Sequence, residues 1–208
     1  GSTGTTLTIP ATAATNGFKY RAVISSTCGT INSAEAQLTV TPKPVITAQP
    51  VSATVCEGEV STFSVAATGD NLSYQWQTNN GGSTFTDIPG ANGATLAVPA
   101  AIATNGHKYK VVISSTCGTL SSEKVTLTVT PKLVITAQPI AVTLCEDQTA
   151  TFTTAATGVQ VKYQWQTNSG GATWTDITGS TGTTLTRAAT AATNGFKHRA
   201  VISSTCGT

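Results

Sequence analysis

The sequence predicts an all-β chain of tandem seven-stranded β-sandwich modules with an 89-residue period, and three observations carry that prediction. First, ISSTCGT stands at Ile24–Thr30, Ile113–Thr119 and Ile202–Thr208, so that Cys28, Cys117 and Cys206 are evenly spaced by 89 residues. Cys56 and Cys145 keep the same spacing, as do YQWQTN at Tyr74 and Tyr163 and VITAQP at Val45 and Val134. Self-similarity at a fixed period marks a repeat architecture whatever the chain length suggests. Second, short alternating runs of Val, Thr, Ile and aromatic residues are cut by Gly, Asn and Pro about every 8 to 12 residues, the rhythm of an all-β sandwich. Third, only 10% of residues are charged, against about 25% in an ordinary soluble domain. Thr, Ala, Val, Ser and Gly fill the difference, a composition suited to pleated sheets with small neutral surfaces.

The period divides the chain into residues 1–42, the last strands of a partial module; 43–131, a complete module; and 132–208, a module lacking its last strand. Residues 1–30 and 179–208 differ only at Ile9/Arg187, Pro10/Ala188 and Tyr20/His198. This overlap reads as a stretch of a longer array, with no leader expected where the first residues already lie inside a module. A net charge of +2 without basic or acidic runs offers nothing to nucleic acid or to an anionic membrane surface. No run of 18 apolar residues is present, so membrane insertion by a helix is not expected.

Within the complete module, VITAQP and SATV flank Pro50 and read as a first strand in two pieces. Proline is tolerated there at a sheet edge, where a missing N–H costs no ladder bond. Glu57–Glu59 turns. STFSVAA alternates as a second strand, Gly69–Asn71 turns, and LSYQWQT puts Leu72, Tyr74 and Trp76 on one face. Trp76, and Trp165 in the next module, are the natural core anchors. A glycine-rich turn at Asn79–Gly82 leads to STFTDI, a turn at Pro89–Gly93 leads to ATLAV, and PAAIATNG makes a corner. HKYKVVISS is a long sixth strand, TCGT turns, and EKVTLTV closes the module before the linker TPKLV.

The corner carries a more specific signal. In Asn105–Val111 a glycine turn precedes Tyr109 two residues before a small apolar residue. This resembles the tyrosine corner of immunoglobulin-like domains, whose hydroxyl bonds back to the corner backbone. Tyr20 and His198 hold the same place in the other copies. With Trp76 upstream, the resemblance covers the whole module and implies an immunoglobulin-like sandwich. The inter-sheet cysteines usual in that family would fall near Val65 and at Val111, and in the next module at Thr154 and Ala200. The core is expected to close by packing alone.

Modules with one Cys before an EGE-like turn and another in a Cys-Gly turn also resemble the immunoglobulin-like repeats of very large secreted adhesins of Bacteroidota. Those include gliding-motility adhesins and other type IX secretion substrates. The resemblance implies a secreted, cell-surface protein whose partners are neighbouring modules, the secretion machinery and surface glycans.

Five cysteines in so weakly charged a chain fit an oxidising, extracellular setting. Two connectivities are open. Pairing within modules joins Cys56 to Cys117 and Cys145 to Cys206. In an antiparallel sandwich, however, Cys56 follows the first strand and Cys117 the sixth, placing them at opposite poles, separated by roughly 25 Å for a strand of about eight residues. A disulfide needs Cα atoms within about 7 Å. The preferred alternative joins Cys56 to Cys206 across the TPKLV joint, with Cys117 bonding the preceding module and Cys145 the following one. The partner of Cys28 lies outside the sequence in either scheme.

Catalysis needs converging titratable groups, and the two histidines, His107 and His198, lie in different modules. His198 reads as a polar corner residue. Glu57, Glu59, Glu146 and Asp147 beside the first-turn cysteines, with Asp87 and Asp176, are too sparse for a calcium loop, and no CxxC offers a zinc site. Trp174, in the place of Phe85, covers a sheet edge, although an aromatic after a glycine-rich turn can also stack on a sugar. Asn71–Ser73 is a formal glycosylation sequon. Lys19, Lys108 and Lys197 recur without a recurring acid to form an isopeptide bond. No cofactor, metal or catalytic residue is expected. The chain reads as a non-catalytic structural and adhesive stalk of a secreted surface protein. The alternatives are an accessory array of a secreted polysaccharide-degrading enzyme, separable by whether a catalytic domain flanks the repeats, and a surface filament subunit.

Overall fold

The computed structural model describes residues 2–208. Short strands alternate with three single-turn 3₁₀ segments, Ala13–Thr15, Ile102–Thr104 and Ala191–Thr193. Among the described residues no helix is long and apolar enough to cross a membrane.

The partial module contributes β1 (Lys19–Tyr20), β2 (Val23–Ser26), β3 (Gly29–Asn32) and β4 (Ala36–Gln37). β2 and β3 form a hairpin, and β1 pairs with β4. The complete module follows with β5 (Val45–Ala48), β6 (Ala53–Cys56), β7 (Val60–Ser64), β8 (Ala66–Thr68), β9 (Ser73–Thr78), β10 (Thr86–Asp87), β11 (Thr95–Pro99), β12 (Lys108–Ser115), β13 (Gly118–Ser121) and β14 (Val125–Thr130). One layer has the order β10-β9-β12-β14-β6, with β13 also beside β12; the opposite layer pairs β11 with β7 and β5 with β8. All seven predicted runs form strands. The fourth shrinks to Thr86–Asp87, because STFTDI pairs only at its end with β9.

The first strand divides between the layers. β5 pairs antiparallel with β8, whereas β6 pairs parallel with β14. Buried Pro50 lies between them; without an N–H it interrupts the ladder, and the chain crosses there from one sheet to the other. The first and last strands of the module thus lie side by side, pointing the same way, with Cys56 opposite Thr130.

Alternation dictates the core. Phe63, Val65, Trp76, Leu96, Val98, Tyr109, Val111, Ile113, Leu127 and Val129 point between the layers and are buried. The Trp76 ring is fully enclosed, and its indole N–H donates to the Gly93 carbonyl at 3.0 Å. Trp165 repeats this with Gly182 at 2.9 Å, the polar handle that a buried tryptophan requires. Val65 and Val111 fill the expected cysteine sites with apolar volume. Thr154, buried in the corresponding place, satisfies its hydroxyl by donating to the Ala137 carbonyl at 2.8 Å.

The corner differs from the expected tyrosine corner. The Tyr109 ring stacks on Phe63 with centroids 5.2 Å apart, and its hydroxyl meets the Thr78 side chain rather than the corner backbone; burial raises its pKa. The corner is tied by asparagine instead. Asn105 Oδ1 accepts the Val129 N–H at 2.9 Å, and Asn16 Oδ1 accepts that of Val40 at the same distance. A short side chain held at the turn thus satisfies a backbone donor 24 residues further along the chain. The tyrosine is thereby left free to serve the core.

The third module repeats the plan with β15 (Val134–Ala137), β16 (Thr149–Thr153), β17 (Ala155–Thr157), β18 (Lys162–Asn168), β19 (Thr175–Asp176), β20 (Thr184–Ala188) and β21 (Lys197–Ser203). β15 pairs β17, β16 pairs β20, and the other layer runs β19-β18-β21. Residues 142–145, the counterpart of β6, form no strand. The 89-residue spacing puts the counterpart of their partner β14 past residue 208.

Candidate functional site at the module joint

The chemistry of this chain concentrates where the second module meets the third. Cys56 ends β6 and opens a tight turn in which the Glu59 N–H donates to the Cys56 carbonyl at 3.1 Å. The Cys56 N–H donates to Glu59 Oε2 at 3.0 Å. The turn is anchored to two further strand ends, through Glu57 N–H to the Thr130 carbonyl at 2.8 Å and Gly58 N–H to the Ala100 carbonyl at 2.7 Å. Gly58 has φ +85°, and a Cβ there would lie 2.8 Å from Lys132 Nζ of the linker. Glycine adopts this φ without strain, whereas the counterpart 89 residues on, Asp147, holds φ +64°.

Cys206 approaches from the third module on the turn after β21. Its N–H donates to Ser204 Oγ at 3.1 Å; Cys117 and Cys28 make the same bond to Ser115 and Ser26 at 3.1 and 3.2 Å. In all three copies the following glycine has φ between +129° and +139°. ISSTCGT therefore encodes its own cysteine-presenting turn. Thr205 fixes the turn to its module by donating its N–H to the Val159 carbonyl at 3.1 Å. Leu133 of the linker packs beside Gly158 and Gly207.

Cys56 and Cys206 are joined by a disulfide with Cα atoms 5.6 Å apart. Cys28, Cys117 and Cys145 are free thiols. Pairing within modules is thereby overturned, for the reason that β-strand parity supplies. Cys117 lies just before β13, whereas Cys56 sits opposite the far end of β14. At ~3.3 Å per residue the two are roughly 40 Å apart along the sheet, far beyond disulfide reach. The Cys145 turn nevertheless resembles that of Cys56, its N–H donating to Gln148 Oε1 at 3.0 Å.

Around the disulfide lies a cleft of about 710 Å³, lined by Glu57, Glu59, Lys132, Leu133, Ile135 and Val201 among others. Its carboxylates are engaged with backbone N–H groups, Glu59 as above and Glu57 with Lys132 at 3.4 Å. Among the described residues no three His, Cys, Asp or Glu side chains stand close enough to hold a metal ion.

The remaining candidates are dispersed. Asp87 and Asp176 accept hydrogen bonds from Gln77 and Gln166 at 2.7 and 2.8 Å. Phe85 lies beneath Lys110 and Lys124, with Nζ 4.9 and 5.4 Å from the ring centroid, and Trp174 beneath Arg199 at 4.4 Å. Sequence reasoning missed these cation–π pairs, which join strands distant in the chain. Lys19 pairs with Glu35 at 3.4 Å. Asn71 bonds Thr116 through its amide at 3.3 Å. His198 is tilted against Phe152 at 5.2 Å. Burial, and secondarily Arg187, lower its pKa. Its Nδ1 and the hydroxyl of its cross-strand neighbour Thr167 are buried without partners.

Residues 46–131 and 136–208 each match the family described as "Domain of unknown function (DUF8696)", and the chain belongs to that family. A stretch of 131 residues is 38% identical to Endoglucanase C of Cellulomonas fimi, covering 62% of this chain and 12% of that protein. This chain thus spans about an eighth of the length of the curated relative it matches. A three-Ig fragment of titin superposes with a TM-score of 0.53 at 16% identity, covering 91% of this chain and 74% of that one. Domains 3–5 of Drosophila OTK give 0.49 at 18% identity, covering 91% and 71%. The titin likeness shows the fold: tandem immunoglobulin-like sandwiches.

Proposed function

We propose that this chain is a non-catalytic structural segment of a larger secreted protein, in which immunoglobulin-like modules are stapled end to end into a stiff stalk. One observation carries the reading: the disulfide between Cys56 and Cys206 joins consecutive modules rather than closing either one. A short linker alone leaves modules free to swivel. A second covalent connection beside it removes that freedom. The charge-poor surface and the dispersed acids suit a spacer better than a reaction centre, and a disulfide belongs in an oxidising compartment.

Two settings suit such a stalk. The first is a surface adhesin of the gliding-motility type, where copies of the module project a tip or bind weakly and multivalently along their length. The second is the accessory part of a secreted polysaccharide-degrading enzyme, favoured by the 38% identity to Endoglucanase C. The reading frame around these repeats separates them: many further 89-residue repeats support the adhesin, an adjoining catalytic domain the enzyme.

Scattering and an activity assay test the stalk itself. Residues 43–208 are expected to give the profile of one elongated rod when oxidised and a broader distribution of shapes after reduction. They should release no reducing sugar from soluble cellulose. Independent tumbling of the two modules in the oxidised protein, or sugar release, would overturn the reading.

A further inference from the structure

The disulfide changes the route by which a pulling force travels through the chain. Without it, tension enters the second module through β5 and leaves through β14 toward the linker. β6 and β14 lie parallel and hydrogen-bonded from Ala53/Leu127 to Cys56/Thr130. Pulling their outer ends apart loads that ladder in shear, and once it fails the module unravels.

With the bond in place a shorter covalent route exists. Tension runs along β5 and β6 to Cys56, crosses to Cys206, and continues toward Thr208. Residues 57–205 lie off this route, because the bonded cysteines are 150 positions apart in sequence. The route is also almost taut already. β5 and β6 are extended strands, which at ~3.3 Å per residue leave little slack before the ~3.6 Å limit of a fully stretched chain.

Position in the module makes the device work. Cys56 stands at the end of the strand that enters the module, at the pole facing the next one. Cys206 stands on the turn after β21 of the next module, the counterpart of the Cys117 turn that leads into β13 and β14. Had the bond been Cys56 to Cys117 within one module, the linker and the whole joint would still carry the load.

We infer that the Cys56–Cys206 bond is a tension bypass: it shields most of two modules and the joint between them from force, turning an extensible string of domains into a strap of fixed length. Whichever larger protein carries the array, the inference stands on connectivity alone.

Single-molecule stretching of the full 208-residue chain, held at its two termini, tests it. A non-reducing peptide map first establishes which cysteines are joined, and a Cys56 to Cys117 peptide would overturn the inference. In the oxidised chain, extension should stop at roughly 200 Å, the contour of residues 1–56 and 206–208. A dithiol reductant supplies two electrons and two protons, becomes a disulfide itself and frees both thiols. It should release a further ~500 Å, the contour of residues 57–205. Cys56→Ser should show this release without reductant, while Cys117→Ser and Cys145→Ser should behave like the parent. The long release in the oxidised parent, or its absence after reduction, would sink the inference.

Discussion

Leu7 and Leu185 hold the same place in two nearly identical segments, yet Leu7 is 50% exposed and Leu185 only 3%. Ile24 and Ile202 differ likewise, at 55% and 4%. The turns of the two copies are nonetheless built alike, with the same serine-to-cysteine N–H bond and the same left-handed glycine. Local sequence is therefore sufficient for the hairpin and its cysteine. Burial needs strands supplied from elsewhere: β16 and β18 cover the later copy, and the earlier has no such cover among the described residues.

Breaking the comparison completely gives the largest effect. Residues 43–131 by themselves contain both layers and the enclosed Trp76, and should melt cooperatively. Residues 1–42 expose Val23, Ile24 and Ile31 and should show no transition in circular dichroism over the same range. A cooperative melt of the 1–42 peptide would show that the segment carries its own core.

Point substitution sharpens the contrast. Leu185→Ala should cost about 2 to 5 kcal/mol of third-module stability by denaturant titration, because a buried leucine leaves a cavity. Leu7→Ala, at an exposed position of the same sequence context, should stay within about 0.5 kcal/mol. Equal effects would mean that the partial module is packed after all.

The same contrast explains what could be read without coordinates. The period, the strand runs, the tryptophan anchors and the opposite poles of Cys56 and Cys117 all follow from alternation and from strand parity, which are local or counting arguments. The division of the first strand was not legible, since VITAQP and SATV look alike and only the availability of β8 and β14 assigns them to different layers. The corner misled for a related reason. Asn-Gly followed by Tyr fits a tyrosine corner, but Asn105 reaches the Val129 N–H, and a residue 24 positions away in sequence leaves no local trace. Phe85 under Lys110 is hidden in the same way.

One of the three differences between the copies, Tyr20/His198, supplies a smaller test. In the complete module, Tyr109 stacks on Phe63 and meets Thr78. In the third module, His198 and Thr167 face each other's positions with Nδ1 and Oγ1 unpartnered. Buried polar atoms left unpaired are costly. His198→Tyr should therefore stabilise the third module by about 1 kcal/mol in a denaturant titration. No gain would show that water already satisfies the pair.

The smallest effect is the dependence of that gain on pH. Burial first, and Arg187 second, push the His198 pKa below its ordinary value. Arg187 stands where the complete module has Val98, and with Glu146 it lines the cleft beside His198. Above the unfolded value of about 6.5, histidine is neutral in both states and its contribution to stability is fully present. As pH falls through that value, the unfolded chain takes up a proton that the folded module resists. Stability is then lost until the lowered folded value is passed. The third module should accordingly melt at a lower temperature at pH 5.5 than at pH 7.5, and His198→Tyr should reduce that difference. An unchanged difference in the variant would assign the acid sensitivity elsewhere, leaving the histidine a passive occupant of the tyrosine's place.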